Sequence, residues 1–249
     1  MPDAKQTIFG RPIRTADFAA VSEKLVGFSE NNINARSFKL LRTALARQMS
    51  ENDHRIVGIT SASPGAGKSF ISSNLAASLS QLSNHDIVLV DLDFQRASIA
   101  DLFGLEGARG IADLLEGEED DVANVAQSIG DTGLTVVPTF LRSVNSAELL
   151  AGERFANVMK KLREVSNNVL VICDLPPLFV SDDALLAAQH LDGVLLVVEQ
   201  GVTTKKQVQA SLQMLYPTRI YGTVFNRYSG GFADPYGYGG AYGGYYNNR

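Results

Sequence analysis

The stretch Ala62-Ser63-Pro64-Gly65-Ala66-Gly67-Lys68-Ser69 carries the residue types that hold phosphate. Gly65 and Gly67 let the backbone curl tightly and turn its N–H groups toward anionic oxygens. Lys68 supplies a point charge for the β/γ-phosphates of a nucleotide, and the Ser69 hydroxyl supplies a ligand for Mg²⁺. The apolar run Ile56-Val57-Gly58-Ile59 leads in, and a helix-like segment from Phe70 to Leu82 leads out. That strand–loop–helix context gives the motif its meaning, because the helix then points its positive end at the same anion. Ala62 stands where the usual pattern has its first glycine. The reading assigns Pro64, Gly65, Ala66, Gly67, Lys68, Ser69 and Phe70 to the nucleotide, with ATP and Mg²⁺ as the expected cofactors.

A second set of residues could complete phosphoryl transfer. Val88-Leu89-Val90-Asp91-Leu92-Asp93 ends a strand with two carboxylates, and side chains two apart on a strand point the same way. Val169 to Asp174 ends a second apolar run with one more, followed by Leu175-Pro176-Pro177, where the prolines stop the strand. An aspartate after a buried strand, taken alone, usually just opens a loop. Three of them converging on a lysine-bearing loop supply what phosphoryl transfer needs: acids that hold Mg²⁺, directly or through water, and that orient or deprotonate a nucleophile. Lys68, Asp91 and Asp93 are therefore the expected catalytic groups, and Ser69, Asp93 and Asp174 the expected metal ligands.

Positioning these residues requires alternating elements. A helix is expected from about Ile33 to Met49, where Phe38, Leu41, Leu45 and Met49 recur at helical spacing. Strands are expected at Arg55–Ser61, Asp86–Asp93, Leu134–Thr139, Asn168–Asp174, Gly193–Glu199 and Arg219–Asn226. Helices are expected at Ser69–Leu82, Ile111–Leu115, Asp121–Ile129, Ala147–Val165 (with Ser146 as cap), Asp182–Gln189 (with Ser181 as cap) and Thr204–Leu215. Apolar strands alternating with helices indicate an α/β fold, a parallel sheet with helices on both faces. In such sheets ligands sit at the carboxyl ends of strands, where the loop and the three acids all fall. Residues 1–30 are weakly periodic and read as a loose arm, residues 31–227 as the folded domain.

Residues 228–249 read as a separate tail. They hold Tyr228, Tyr236, Tyr238, Tyr242, Tyr245 and Tyr246, six of the eight tyrosines, interleaved with glycine. No Leu, Ile, Val or Met follows Val224. A segment of this composition cannot bury a core and is expected to be mobile.

The composition narrows the rest. The 249 residues are 45% hydrophobic, enough for one sizeable core. A net charge of −5 gives no general affinity for nucleic acid, and only Arg227 and Arg249 lend positive charge near the tail. The single cysteine, Cys173, lies in an apolar run and reads as a core residue of a protein from a reducing compartment. His54, His85 and His190 have no metal-ligand spacing. With no long apolar run and no signal-peptide pattern, the expected location is cytoplasmic, at the membrane only through a partner.

Together these motifs resemble the bacterial tyrosine kinases of exopolysaccharide assembly, the CpsD/CapB type, which have a P-loop NTPase fold. The resemblance runs from about Asn34 to the C-terminus. Asp91 and Asp93 match the family's second Walker-type motif, and Asp174 in Asp-Leu-Pro-Pro matches its Walker B acid. Phe103-Gly104-Leu105 with Gly110-Ile111-Ala112-Asp113-Leu114-Leu115, and Asn145-Ser146-Ala147-Glu148-Leu149-Leu150, match two further family blocks. Asn226 is similar to a position near the adenine in related ATPases. The resemblance implies a kinase that autophosphorylates the tail tyrosines, a membrane-embedded polysaccharide co-polymerase or activator as partner, and a homo-oligomer. The chain departs from the pattern at Gln95, Arg96 and Ala97. It also carries Arg36, Lys39 and Arg42 where the family has the Glu-x-x-Arg-x-x-Arg of its ring interface, so the acidic half of that interface is missing. A non-kinase ATPase switch of the MinD/ParA kind is the alternative. Ser63 replaces the signature lysine of that branch and counts against it.

Overall fold

A computed structural model of the chain describes residues 9–82, 85–166 and 168–229. Its strands are β1 (Arg14–Ala16), β2 (Ile56–Ser61), β3 (Asp86–Asp91), β4 (Gln127–Ile129), β5 (Leu134–Val137), β6 (Val169–Asp174), β7 (Gly193–Glu199) and β8 (Ile220–Asn226). The α-helices are α1 (Ala35–Glu51), α2 (Lys68–Leu79), α3 (Ser98–Phe103), α4 (Ile111–Glu116), α5 (Val122–Val125), α6 (Ser146–Ala151), α7 (Glu153–Glu164), α8 (Asp183–Ala188) and α9 (Lys205–Leu215).

The strands form one sheet in the order β1-β4-β5-β3-β6-β2-β7-β8. All neighbours run parallel except β4 and β5. The four central strands are buried on both faces, which is why they read as unbroken apolar runs. Alternation splits each strand between two cores. Ile87, Leu89, Leu170 and Ile172 pack under α1, α2 and α3. Val88, Val90, Val169 and Val171 pack under α4 to α8.

Residues 9–30 are not the loose arm that weak periodicity suggests. β1 pairs with β4 at the sheet edge, and short 3₁₀ turns at Phe18–Ala20 and Val26–Phe28 follow. Leu25 is buried, Phe28 packs edge-on against Phe103, and the Gly27 N–H donates to Asn74 Oδ1 at 2.9 Å. Gly27 presses so close to α2 that a Cβ there would lie 2.2 Å from Asn74 O. Short 3₁₀ turns leave no 3.6-residue period to read.

Other elements also differ from expectation. The long helix over 147–165 is two helices, broken where Gly152 turns extended (φ −77°, ψ 154°). Asn145, not Ser146, caps α6, and Ser146 Oγ instead donates to Asp183 Oδ2 at 2.8 Å. The segment 121–129 is one helical turn followed by β4. α3 was not expected at all. Asp182, not Ser181, is the N-cap of α8, and the Ser181 hydroxyl is buried with no partner among the described residues. Of the tail tyrosines only Tyr228 falls among the described residues, its ring 5.8 Å from that of Phe225. Tyr236, Tyr238, Tyr242, Tyr245 and Tyr246 lie outside them.

Candidate functional site

The loop between β2 and α2 takes the shape its glycines permit. Gly65 and Gly67 hold φ values of +86° and +89°, and Gly67 is the N-cap of α2. At Gly67 the positive φ strains any other residue, and a Cβ there, 2.2 Å from Asn226 Nδ2, would also displace that amide. The Ile71 N–H closes on Gly67 O at 3.0 Å, and the N–H groups at the start of α2 are left for an anion. Asn226, at the end of β8, donates from Nδ2 to Ala66 O at 2.8 Å and so braces the loop from two strands away in the sheet. Ser63 is tied in by two bonds: its carbonyl accepts from Ser61 Oγ at 2.8 Å, and its hydroxyl from Gln207 Nε2 at 3.2 Å.

The acids arrive from two other strands. Register sets Ile59 of β2 beside Asp174 of β6, and Asp174 beside Asp91 of β3. Alternation turns Asp91 and Asp174 to the α2 side of the sheet, with Ile87, Leu89, Leu170 and Ile172. β3 ends at Asp91, so Asp93 lies beyond the strand and not in its pleat. Its position comes from a turn in which the Asp93 N–H donates to Asp91 Oδ1 at 3.1 Å. Its carboxylate then meets Lys68: Nζ donates to Asp93 Oδ2 at 2.5 Å, with both side chains almost fully buried (7% and 2% exposed). Thr139 Oγ1 donates to Asp91 O and Thr60 Oγ1 to Pro176 O, each at 2.7 Å, which fixes the strand ends around the cluster.

Three buried carboxylates lie together, two of them, Asp93 and Asp174, within the influence of Lys68, and the electrostatics follow. Asp91 is pushed well above the usual carboxylate range, first by burial and then by the charge of Asp174. Burial likewise raises Asp174, to about 6, against the pull of Lys68 and the nearby hydroxyls of Ser69 and Ser72. Neither hydroxyl closes a hydrogen bond on it. Asp91 Oδ2 and both Asp174 oxygens have no partner among the described residues. Buried carboxylate oxygens of that kind need a ligand, and hard oxygen donors beside a phosphate loop fit Mg²⁺, which takes one or two carboxylates and fills its remaining positions with phosphate and water. The described residues contain no group of three His, Cys, Asp or Glu arranged to enclose a metal on their own, so a bound Mg²⁺ would need phosphate or water as further ligands. Cys173, next to Asp174, is fully buried, and its thiol is raised far above its ordinary value by that burial.

Several participants escaped the sequence reading. Ser22 and Lys24 of the N-terminal arm, with Asp101 of α3 and Arg227 after β8, border an open cavity of about 610 Å³ beside Ser69 and Phe70. Arg227 is ion-paired with Glu199. Gln200 follows Glu199, and Gln200 Oε1 accepts from the Ser229 N–H at 2.8 Å. No spacing in the sequence links these segments. Lys39 and Arg42, read as interface residues, are engaged within the chain: Lys39 Nζ donates to Glu30 O and Arg42 Nη1 to Ser78 O, each at 2.6 Å.

A glycine-shaped anion loop at the carboxyl edge of a mostly parallel sheet, with acids on the adjoining strands, defines a P-loop NTPase. The chain belongs to the ParA family of that class, whose model, described as NUBPL iron-transfer P-loop NTPase, matches residues 52–227. Ser63 thus does not take the chain outside that family. Among individual proteins, it is 34% identical to the tyrosine-protein kinase Etk of Escherichia coli K12 over 192 residues, 76% of this chain and 26% of that one. It is 28% identical to the tyrosine-protein kinase Wzc of Salmonella typhimurium over 222 residues, 87% of this chain and 30% of the relative. The solved kinase domain of the Escherichia coli tyrosine kinase Etk superposes with a TM-score of 0.72 at 29% identity, covering 90% of this chain and 86% of that domain. The chain thus spans between a quarter and a third of the length of these curated relatives.

Proposed function

We propose that this chain is an ATP-dependent protein-tyrosine kinase that phosphorylates tyrosines of its own C-terminal segment: Tyr228, Tyr236, Tyr238, Tyr242, Tyr245 and Tyr246. The observation that carries the reading is the buried Lys68–Asp93 pair beside the unpartnered oxygens of Asp91 and Asp174, under a loop shaped for phosphate. Similarity to kinase domains supports it.

In this reading the N–H groups of Gly65 to Phe70 cradle the phosphates, with Pro64 leading into the turn and Asn226 holding the loop near the base. Lys68 turns from Asp93 to the β/γ-phosphates. Ser69, Asp93 and Asp174 would hold Mg²⁺, and that ion would supply positive charge to offset the charge on the transferring group. Asp91, whose burial raises its affinity for a proton, accepts the phenolic proton as the tyrosine oxygen bonds to the γ-phosphorus. The bond from that phosphorus to the β,γ-bridging oxygen breaks, and ADP leaves.

Phosphorylation would regulate polysaccharide assembly or export through a membrane-embedded partner. No helix among the described residues is long and apolar enough to cross a membrane. Each phosphate adds roughly −1.5 to −2 charges at neutral pH to a chain already at −5, so a phosphorylated tail is repelled from neighbouring copies. The test is incubation with ATP and Mg²⁺ followed by mass spectrometry of residues 228–249, with Lys68→Met as control. Phosphotyrosine in the wild type and none in the control is expected. The match to the ParA family favours one second reading, an ATPase switch without kinase activity. ATP hydrolysis without any phosphotyrosine would select it.

A further inference from the structure

We infer that the N-terminal arm is one wall of the nucleotide site, and that Lys24 grips the ribose–α-phosphate end of the bound nucleotide. The inference rests on the reading of the loop as a nucleotide site and adds to it a residue from outside every motif.

The cavity beside the phosphate loop defines where the nucleotide can extend. Gly67, Ser69 and Phe70, at the start of α2, line it together with Asn226 and Arg227. Ser22 and Lys24 of the arm and Asp101 of α3 line it as well. A nucleotide whose terminal phosphates enter the loop toward Lys68 must leave its sugar and base outside it. The cavity lies against the first turn of α2, where a sugar-proximal phosphate would emerge. The polar groups on its lining suit a ribose: hydroxyls from Ser22 and Ser98, and a carboxylate from Asp101 to accept from sugar hydroxyls.

Lys24 differs from the other cation at this rim. Arg227 is already paired with Glu199. The Lys24 side chain is exposed, and its ammonium has no hydrogen bond or ion pair among the described residues. Its backbone, in contrast, is firmly placed. Lys24 N–H donates to Ser22 Oγ at 3.3 Å, and Lys24 O accepts from Asn74 Nδ2 at 3.3 Å. On either side, Ser22 N–H donates to Leu102 O and Gly27 N–H to Asn74 Oδ1, both at 2.9 Å. Asn74 is fully buried on α2, two turns from the phosphate loop, and so ties the arm to the helix that bears the loop. A free ammonium on a fixed backbone, at the mouth of a cavity that opens on a phosphate loop, is placed to meet an anion.

The experiment compares ADP and ATP affinity, with Mg²⁺, for the wild type, Lys24→Ala and Lys24→Arg. Lys24 is exposed and away from the core, so the melting temperature without nucleotide should not change. The α-phosphate is common to both nucleotides. Lys24→Ala should therefore weaken ADP and ATP alike, by about five- to tenfold. The loss should shrink as salt is raised, and Lys24→Arg should recover most of it. Wild-type affinity for both nucleotides in Lys24→Ala, or a loss confined to ATP, would overturn the placement. Failure of the wild type to bind either nucleotide would instead overturn the nucleotide reading, and this inference with it.

Discussion

The phosphate loop and the acid cluster are joined by the 2.5 Å contact of Lys68 with Asp93, but they are built in opposite ways. The loop is contiguous, partly exposed and made of backbone; its requirement is conformational, met by two glycines at positive φ. The acid cluster is discontinuous, buried and made of side chains; its requirement is register, met where β3 and β6 place Asp91 beside Asp174. A backbone site fails when a Cβ is added and hardly registers a change of side chain elsewhere. A buried carboxylate site tolerates an uncharged replacement of the same shape but loses its chemistry with the charge. Four measurements press on that difference.

The largest effect is expected at the contact itself. Lys68→Met should lower phosphoryl transfer by about 10²–10³-fold or more. It also strands the buried Asp93 carboxylate, at a cost of about 3 kcal/mol in denaturant unfolding. Adding Asp93→Asn should recover the stability without recovering transfer. A double variant that regains transfer would break the distinction between loop and cluster.

Asp91→Asn should come next, with transfer down by about 10²-fold. Burial already favours an uncharged group there, so the melting temperature should hold or rise. A marked loss of stability would mean that the Asp91 charge is structural.

The third measurement is pH. Asp174 titrates at about 6 in the folded chain, above its ordinary value of 3.8. Between those values the folded state binds more protons than the unfolded one, so stability of the nucleotide-free protein should fall as pH rises from about 4 to 6. The favourable contribution is fully present below the lower value and lost above the higher one. Asp174→Asn should flatten this slope. Mg²⁺-nucleotide needs the ionised acid, so its affinity should move the other way and weaken as pH drops below 6. An unchanged unfolding slope in Asp174→Asn would assign the titration to another group.

Asn226→Ala should have the smallest effect. It removes one 2.8 Å bond to Ala66 O and leaves the loop's glycine-set conformation in place. Nucleotide affinity should fall by about threefold. A loss as large as that of Lys68→Met would show that the loop depends on its brace as much as on its own backbone.

The sequence alone was enough to determine the loop, because residues 62–69 act on one another over a few bonds. The central strands were legible for a related reason: burial on both faces writes an unbroken apolar run. The acids were visible only as strand ends. That Asp91 and Asp174 are neighbours depends on hydrogen-bond register between segments some 80 residues apart, and that Asp93 turns to Lys68 depends on a turn past the end of β3. The break at Gly152 and the strand β4 were missed because local propensity there agreed with a continuous helix, and packing decided otherwise. Lys24 was beyond reach of any sequence pattern. It comes to the cavity beside the loop on a segment between 3₁₀ turns without a readable period, held by Asn74, a polar residue on a buried helix. Motifs report what neighbouring residues do to each other. Which distant segments share a cavity is settled only when the chain finds the arrangement that buries its apolar faces and pairs its buried polar groups.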